Sequence, residues 1–252
     1  MTTPYWERAL NQKVYPGVGD IDDCWVVATI WAIRRHTHQS QNLLNCTTYR
    51  AAAGDPDDGR HDGGTVSEIA QANSRLYPHV ADVKYQKQYG WTGLVSYLNK
   101  GYTASLAVRS SYLPRSLRYG FYGTHQVAVF KRGGYFYMMN PLQPQGSAPT
   151  RISGTALNTA TYRFANGWVM ADIIAPINLG KVAVKAQAIR YWSRTVSGGW
   201  KAASRTTTGF TVVCTPPRTY NVNGTSRKMV FISTGSHAGK FIELNAKRVF
   251  TA

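Results

Sequence analysis

The sequence predicts an α+β fold: a helical N-terminal part with an antiparallel sheet, followed by a small all-β barrel. Two observations lead there. Helix periodicity and helix caps dominate up to Gly101. Beyond it short apolar runs punctuated by Gly, Pro and Asn prevail, and after residue 181 no convincing helix remains. The charge changes near the same point: residues 1–180 hold 17 Lys/Arg against 11 Asp/Glu, whereas residues 181–252 hold 12 against Glu243 alone. A domain over 1–178 and a basic β-barrel over 181–252 are therefore expected, with Pro176 to Gly180 as the linker. At 252 residues, 43% hydrophobic and 12% aromatic, the chain can bury a substantial core.

Residues 1–18 read as irregular or extended, with a turn at Pro16-Gly17. Residues 24–38 form a helix that is apolar nearly all round in its first turns, as a helix inside a core must be. Its far end, Arg34-Arg35-His36-Thr37-His38, is basic, which suits a helix C-terminus. His36 and His38 lie on different helical faces, which argues against a metal pair and for solvated ends. Asp55 to Gly64 is a loop; its acids lack the alternation and terminal Glu of a calcium site. Thr65-Val66-Ser67-Glu68 has capping-box spacing and opens a second helix to about Tyr77. Trp91 to Asn99 is a third, stopped by Lys100-Gly101.

Strands follow at Thr103–Val108, Gln126–Lys131 and Tyr135–Met139, the last two joined through Arg132-Gly133-Gly134. A Pro/Gly loop spans Pro141 to Thr150, a fourth helix Ser153–Phe164, and a strand Trp168–Ile174. The tail shows alternating runs at Val182–Tyr191, Phe210–Cys214, Met229–Ile232 and Lys240–Leu244, the pattern of a barrel of roughly five strands.

Composition removes several classes of function. No run of 18 apolar residues exists, so no membrane span is expected. The N-terminus lacks the basic start and apolar stretch of a secretory signal, which leads to an expectation of synthesis in a cytoplasm. Three widely spaced cysteines, Cys24, Cys46 and Cys214, fit neither a disulfide framework nor a zinc site. No cofactor motif is present. The net charge of +17 favours polyanionic partners. Nucleic acid is disfavoured, because no nucleic-acid-binding motif is present and the basic residues are scattered.

The candidate chemistry sits at Cys24, the first residue of the first helix, where unpaired backbone N–H groups favour a thiolate. If Arg132-Gly133 or Lys131–Gly134 forms the turn of the central hairpin, His125 stands directly opposite Asn140. Opposed residues in an antiparallel pair share a face about 5 Å apart. A thiol nucleophile, an imidazole base and an amide that orients the ring constitute a nucleophilic triad. Asp20, Asp22 and Asp23 crowd the thiol, opposing its ionisation, and Asp22 or Asp23 is expected to cap the helix.

These residues also carry a family resemblance. Val18-Gly19-Asp20-Ile21-Asp22-Asp23-Cys24-Trp25 resembles the Gln-Gly-x-Leu-Gly-Asp-Cys-Trp nucleophile motif of calpains and other papain-like enzymes. Thr124-His125-Gln126-Val127-Ala128-Val129 through Met139-Asn140-Pro141 resembles the second half of bacteriocin-processing-type, papain-like peptidases. There a Gly-His-x-Val-x-Val strand is answered by Asp-Pro or Asn-Pro. The helix ending Lys100-Gly101-Tyr102 resembles that of peptidase-like domains from phages of actinobacteria. The resemblance covers about residues 10–175 and implies Cys24 as nucleophile, His125 as general base and acid, and Asn140 as orienter. Two positions depart from the pattern: Val18 stands where the family has an oxyanion-binding Gln, and Thr124 where it has Gly. Met229 to Ile242 resembles, more faintly, the closing strands of Src-homology-3-like barrels in wall-lytic and phage-tail proteins.

Together these readings lead to an expected cysteine peptidase or amidase, phage-encoded, acting on a peptide or cell-wall substrate. The basic barrel is suited to an anionic cell-wall polymer or another virion protein, and the expected location is a virion tail or the host wall. The alternative is a non-enzymatic minor tail protein that keeps the papain-like fold for adsorption or assembly.

Overall fold

In a computed structural model of the chain, residues 3–13, 23–39, 46–55, 64–80, 84–185, 187–235, 237–245 and 247–252 are described. Val18, Asp20, Asp22 and most of the 55–64 loop lie outside them.

Three helices come first: α1 (Cys24–Thr37), α2 (Cys46–Ala53) and α3 (Val66–Leu76). Strand β1 (Lys84–Tyr89) and helix α4 (Trp91–Asn99) follow, then β2 (Thr103–Arg109), the short α5 (Arg115–Arg118) and β3 (Thr124–Arg132). Next are β4 (Tyr135–Met139), β5 (Thr150–Ile152), α6 (Gly154–Ala160) and β6 (Val169–Ile174). The six strands form one antiparallel sheet in the order β1-β6-β2-β3-β4-β5. The architecture is mixed helix and sheet, as the sequence predicts.

Alternation along the strands divides the core in two. On one face Ala128, Phe130, Met139 and Ile174 pack with Val26, Val27, Ile30 and Trp31 of α1 and with residues of α2 and α3. On the other, Leu106, Val108, Val127, Val129 and Met138 pack with Leu94 and Leu98 of α4 and Leu157 of α6. Helix α1 is buried from Trp25 to Arg34, which accounts for its apolar circumference. The capping box of α3 forms as expected, with the Glu68 N–H donating to Thr65 Oγ1 and the Thr65 N–H to the Glu68 carboxylate. The basic end of α1 is not solvated. The Arg34 guanidinium donates to the carbonyls of Tyr5, Arg8 and Gln39. His36 is buried 2.8 Å from Thr103 Oγ1, and His38 stacks on Trp6.

The central hairpin turns one residue later than expected. Gly133 and Gly134 both have positive φ (54° and 83°) and form the two-residue turn. Ala128 therefore pairs with Met139 and Arg132 with Tyr135. This register is displaced by two residues from the one that sets His125 directly opposite Asn140. Because the side-chain period is two, a slip of two leaves both residues on the same face. Placing a β-branched side chain in this turn is expected to be costly: Gly134→Val should destabilise by about 1–2 kcal/mol. Chemical denaturation checks this, and an unchanged midpoint would contradict the assigned turn.

The C-terminal strands are β7 (Gly180–Val184), β8 (Gln187–Arg194), β9 (Trp200–Thr207) and β10 (Phe210–Cys214), then β11 (Arg218–Val222), β12 (Thr225–Phe231), β13 (Phe241–Glu243) and β14 (Arg248–Thr251). They form two antiparallel sheets, β10-β7-β14 and β11-β12-β13-β8-β9, with more strands than the five or so expected, and a bridge between Cys214 and Ile232 links one sheet to the other. One core cluster joins the sheets through Val182, Ile189, Cys214 and Val230. A second lies under Trp192, Phe231 and Phe241.

This part packs on the N-terminal helices. The Arg194 guanidinium donates to the carbonyls of Arg75 (2.6 Å) and Ser74 (3.5 Å) in the last turn of α3, where carbonyls lack helical partners. Just beyond α3, the His79 ring stacks on Phe231, with centroids 3.7 Å apart and planes 5° from parallel, and meets Phe241 edge-on.

Candidate active site

Helix α1 runs antiparallel to β2. Near its middle, Thr29 Oγ1 lies 3.2 Å from Ser105 Oγ, whereas His36 toward its C-terminus reaches Thr103. Its N-terminus, with Cys24, thus points to the end of the sheet where β2 finishes and β3 begins. Cys24 is partly exposed, and none of the three cysteines is disulfide-bonded. Burial pushes Cys214 up to about 12, and burial together with nearby Asp23 pushes Cys46 above the usual thiol range.

Asp23 occupies the N-cap position of α1, but its side chain does not cap the helix. Its fully buried carboxylate faces the Arg50 guanidinium of α2 at 3.2 Å, and Arg50 also bridges to Asp55 at 3.2 Å. The negative charge nearest the thiol in sequence is therefore compensated, which removes part of the expected opposition to thiolate formation.

His125 and Asn140 come together. Asn140 Oδ1 lies 2.8 Å from His125 Nε2 and accepts from the Leu142 N–H at 2.8 Å. Asn140 Nδ2 donates to the Leu117 carbonyl at 3.0 Å, and the Asn140 N–H donates to Gln143 Oε1 at 2.9 Å. With the amide oriented by Leu117 and Leu142, Oδ1 can only accept, so His125 Nε2 carries the proton and Nδ1 the lone pair. Burial pushes His125 down to about 4, against the opposing pull of the Asn140 hydrogen bond, so the ring is a neutral base at pH 7. Phe121 packs against it with centroids 5.2 Å apart.

The faces matter. His125 pairs with Val108 in an unbroken ladder, so its side chain takes the side of Val108 and Val127, away from α1. The neighbour that faces α1 is Gln126, whose Nε2 donates to Ser105 Oγ at 3.0 Å. Cys24 and His125 thus sit at the same end of the sheet but approach it from opposite faces.

A polar seam not anticipated from the sequence runs between α1 and the sheet. Thr29, Ser105 and Gln126 are linked through the Ser105 hydroxyl, and the buried Asp172 stands opposite Ser105 in the β2–β6 register. The signal was present as isolated polar residues at alternate positions of apolar strands, Thr103 and Ser105 in one and Asp172 in another.

Among the described residues no group of three or more His, Cys, Asp or Glu side chains is placed to hold a metal ion, and no helix is long and apolar enough to cross a membrane. No protein-family description and no curated protein matches the chain.

Proposed function

We propose that the chain is a cysteine hydrolase of papain-like type, cleaving a peptide or amide bond, with Cys24 as nucleophile, His125 as base and acid, and Asn140 as orienter. The observation that carries this reading is the 2.8 Å His125–Asn140 contact, which leaves the Nδ1 lone pair available at the sheet end where α1 presents Cys24. In the reaction His125 Nδ1 takes the thiol proton, the thiolate attacks the carbonyl carbon, and the same nitrogen returns the proton to the leaving amine. Water then hydrolyses the thioester. The substrate is a wall peptide or protein, and the protein is delivered as part of a phage virion.

A second reading is favoured by the face assignment. A thiol and a base that approach from opposite faces suit a non-enzymatic virion component that keeps the fold for adsorption or assembly.

Alkylation by iodoacetamide separates the two readings. Burial alone makes Cys24 the most reactive of the three thiols, so the discriminating quantity is the pH dependence of its rate. The hydrolase reading expects an apparent pKa at least about one unit below the 8.5 of an ordinary thiol, and a dependence on His125 that is lost in His125→Ala. It also expects hydrolysis of crosslinked wall peptide that Cys24→Ala abolishes. An ordinary thiol titration unaffected by His125→Ala would exclude a working Cys–His pair and leave the structural reading.

A further inference from the structure

The end of the sheet that holds His125 is rimmed by exposed aromatic and cationic side chains. Tyr112 is 54% exposed, Tyr122 65% and Trp168 50%, fractions unusual for rings of this size. They come from the β2–β3 connection and from the start of β6, which hydrogen bonds hold at the same sheet end. The Ser110 N–H donates to the Gly123 carbonyl and the Tyr162 N–H to the Ala107 carbonyl. Arg109 and Arg115 are exposed among them, and Arg118 is half-buried. The Arg118 guanidinium lies 5.8 Å from the Tyr122 ring centroid, and that of Arg109 5.4 Å from the Tyr162 ring.

No acidic residue offsets this charge from within the surrounding chain. Residues 83–171 contain ten Lys/Arg and not one Asp or Glu. Asp172, the next acid along the chain, is buried on the α1 side of β6.

We propose that this rim binds an anionic wall glycopolymer, a chain of polyol or sugar units joined through phosphate groups. Arginine forks match phosphate oxygens two at a time, and tyrosine offers an apolar ring face together with a hydroxyl for the polyol. The arrangement suits such a chain better than single-stranded nucleic acid. Nucleic-acid grooves offer a run of open ring faces on which successive bases stack; here Tyr122 and Tyr162 carry a guanidinium on one face, which leaves Tyr112 and Trp168 as the open rings. The inference shares the sheet end of the proposed hydrolase site but does not depend on its chemistry, and it places the polymer contact in the N-terminal part rather than in the basic C-terminal strands.

The test uses the full chain carrying Cys24→Ala, so that binding is read without turnover. The probe is poly(glycerol phosphate), titrated by anisotropy or by quenching of tryptophan fluorescence at several salt concentrations. R109A/R115A is expected to weaken binding at least about fivefold near 0.1 M salt and to flatten the log–log salt dependence by about one to two. Tyr122→Ala is expected to weaken it about threefold or more at higher salt, where the charge contribution is screened. K201A/K228A, which removes the same charge from exposed C-terminal positions, is expected to change affinity less than twofold. Equal losses from both double variants, with thermal melting unchanged, would reduce the effect to bulk charge and overturn the proposal. Rim-dependent binding to oligothymidylate tighter than to the wall polymer would overturn it in favour of nucleic acid. A failure of wild-type protein to hydrolyse any wall peptide, with rim-dependent binding intact, would remove the hydrolase reading and leave this one standing.

Discussion

Replacing Arg50 by methionine is expected to destabilise the protein by about 3–5 kcal/mol, the usual consequence of removing one partner from a buried ion pair. For a chain of this size that corresponds to a fall of about 6–20 °C in melting temperature. Arg50 is 4% exposed and faces both Asp23 and Asp55, and the Asp23 side chain is wholly buried. The methionine cannot neutralise that carboxylate, so the variant leaves a buried negative charge next to Cys24. Two readouts should therefore move together: the melting temperature falls, and alkylation of Cys24 near neutral pH slows because the adjacent carboxylate opposes thiolate formation. Asp23→Asn in the Arg50→Met background removes the charge and is expected to recover a large part of both. If Arg50→Met melts within a degree of the parent, the pair does not hold α1 to α2 in solution.

The second large effect concerns pH. His79 is 1% exposed, and neither ring nitrogen has a hydrogen-bond partner among the described residues. Burial, and secondarily the Arg218 charge, holds it well below the ordinary histidine range. It is therefore neutral when packed between Tyr77, Phe231 and Phe241. In the unfolded chain it titrates near 6.5. As pH falls below that value the unfolded state binds a proton that the folded state refuses, and stability is lost with a slope of up to about 1.4 kcal/mol per pH unit. His36, lowered to about 3, and His125, lowered to about 4, act in the same direction over the same range. What distinguishes His79 is its place, at the seam between the N-terminal helices and the C-terminal strands.

His79→Phe fills the same stacked position without a proton acceptor. Removing an unsatisfied buried polar group in favour of an apolar one of similar shape is close to neutral or stabilising. The variant is expected to melt at or above the parent temperature at pH 7 and to lose less stability between pH 6.5 and 4.5. Melting curves across that range decide it. A parallel decline in parent and variant would assign the acid sensitivity to His36 and His125 rather than to the seam.

Strong local or two-sided signals made much of the molecule legible from its sequence. Helix α1 is apolar in its first turns, α3 carries a capping box, β2, β3 and β6 are internal strands buried on both faces over most of their length, and β4 is internal and ends in the buried Met138 and Met139. The unpredicted strands share one property. Each of β1, β5, β9, β11 and β14 lies at the edge of its sheet. An edge strand is paired on one side only and is often covered poorly. Its composition is held less tightly to an apolar pattern, as in β9, where Lys201 to Ser204 are all exposed. Helix α2 is not legible in the sequence for a related reason: its buried face consists of Cys46, Tyr49, Ala52, Ala53 and the charged Arg50.

By itself the sequence named Cys24, His125 and Asn140 as candidates and determined that His125 and Asn140 would share a face. That face relation depends only on strand parity, which survived a two-residue shift in register. Only the tertiary structure decided the rest. It aimed the Asp23 carboxylate at Arg50 rather than at the helix N-terminus, and set α1 on the sheet face that His125 does not share. These are long-range choices. They follow from which face of a sheet a helix covers and which buried charge finds a partner, and neither is written in the local spacing of residues.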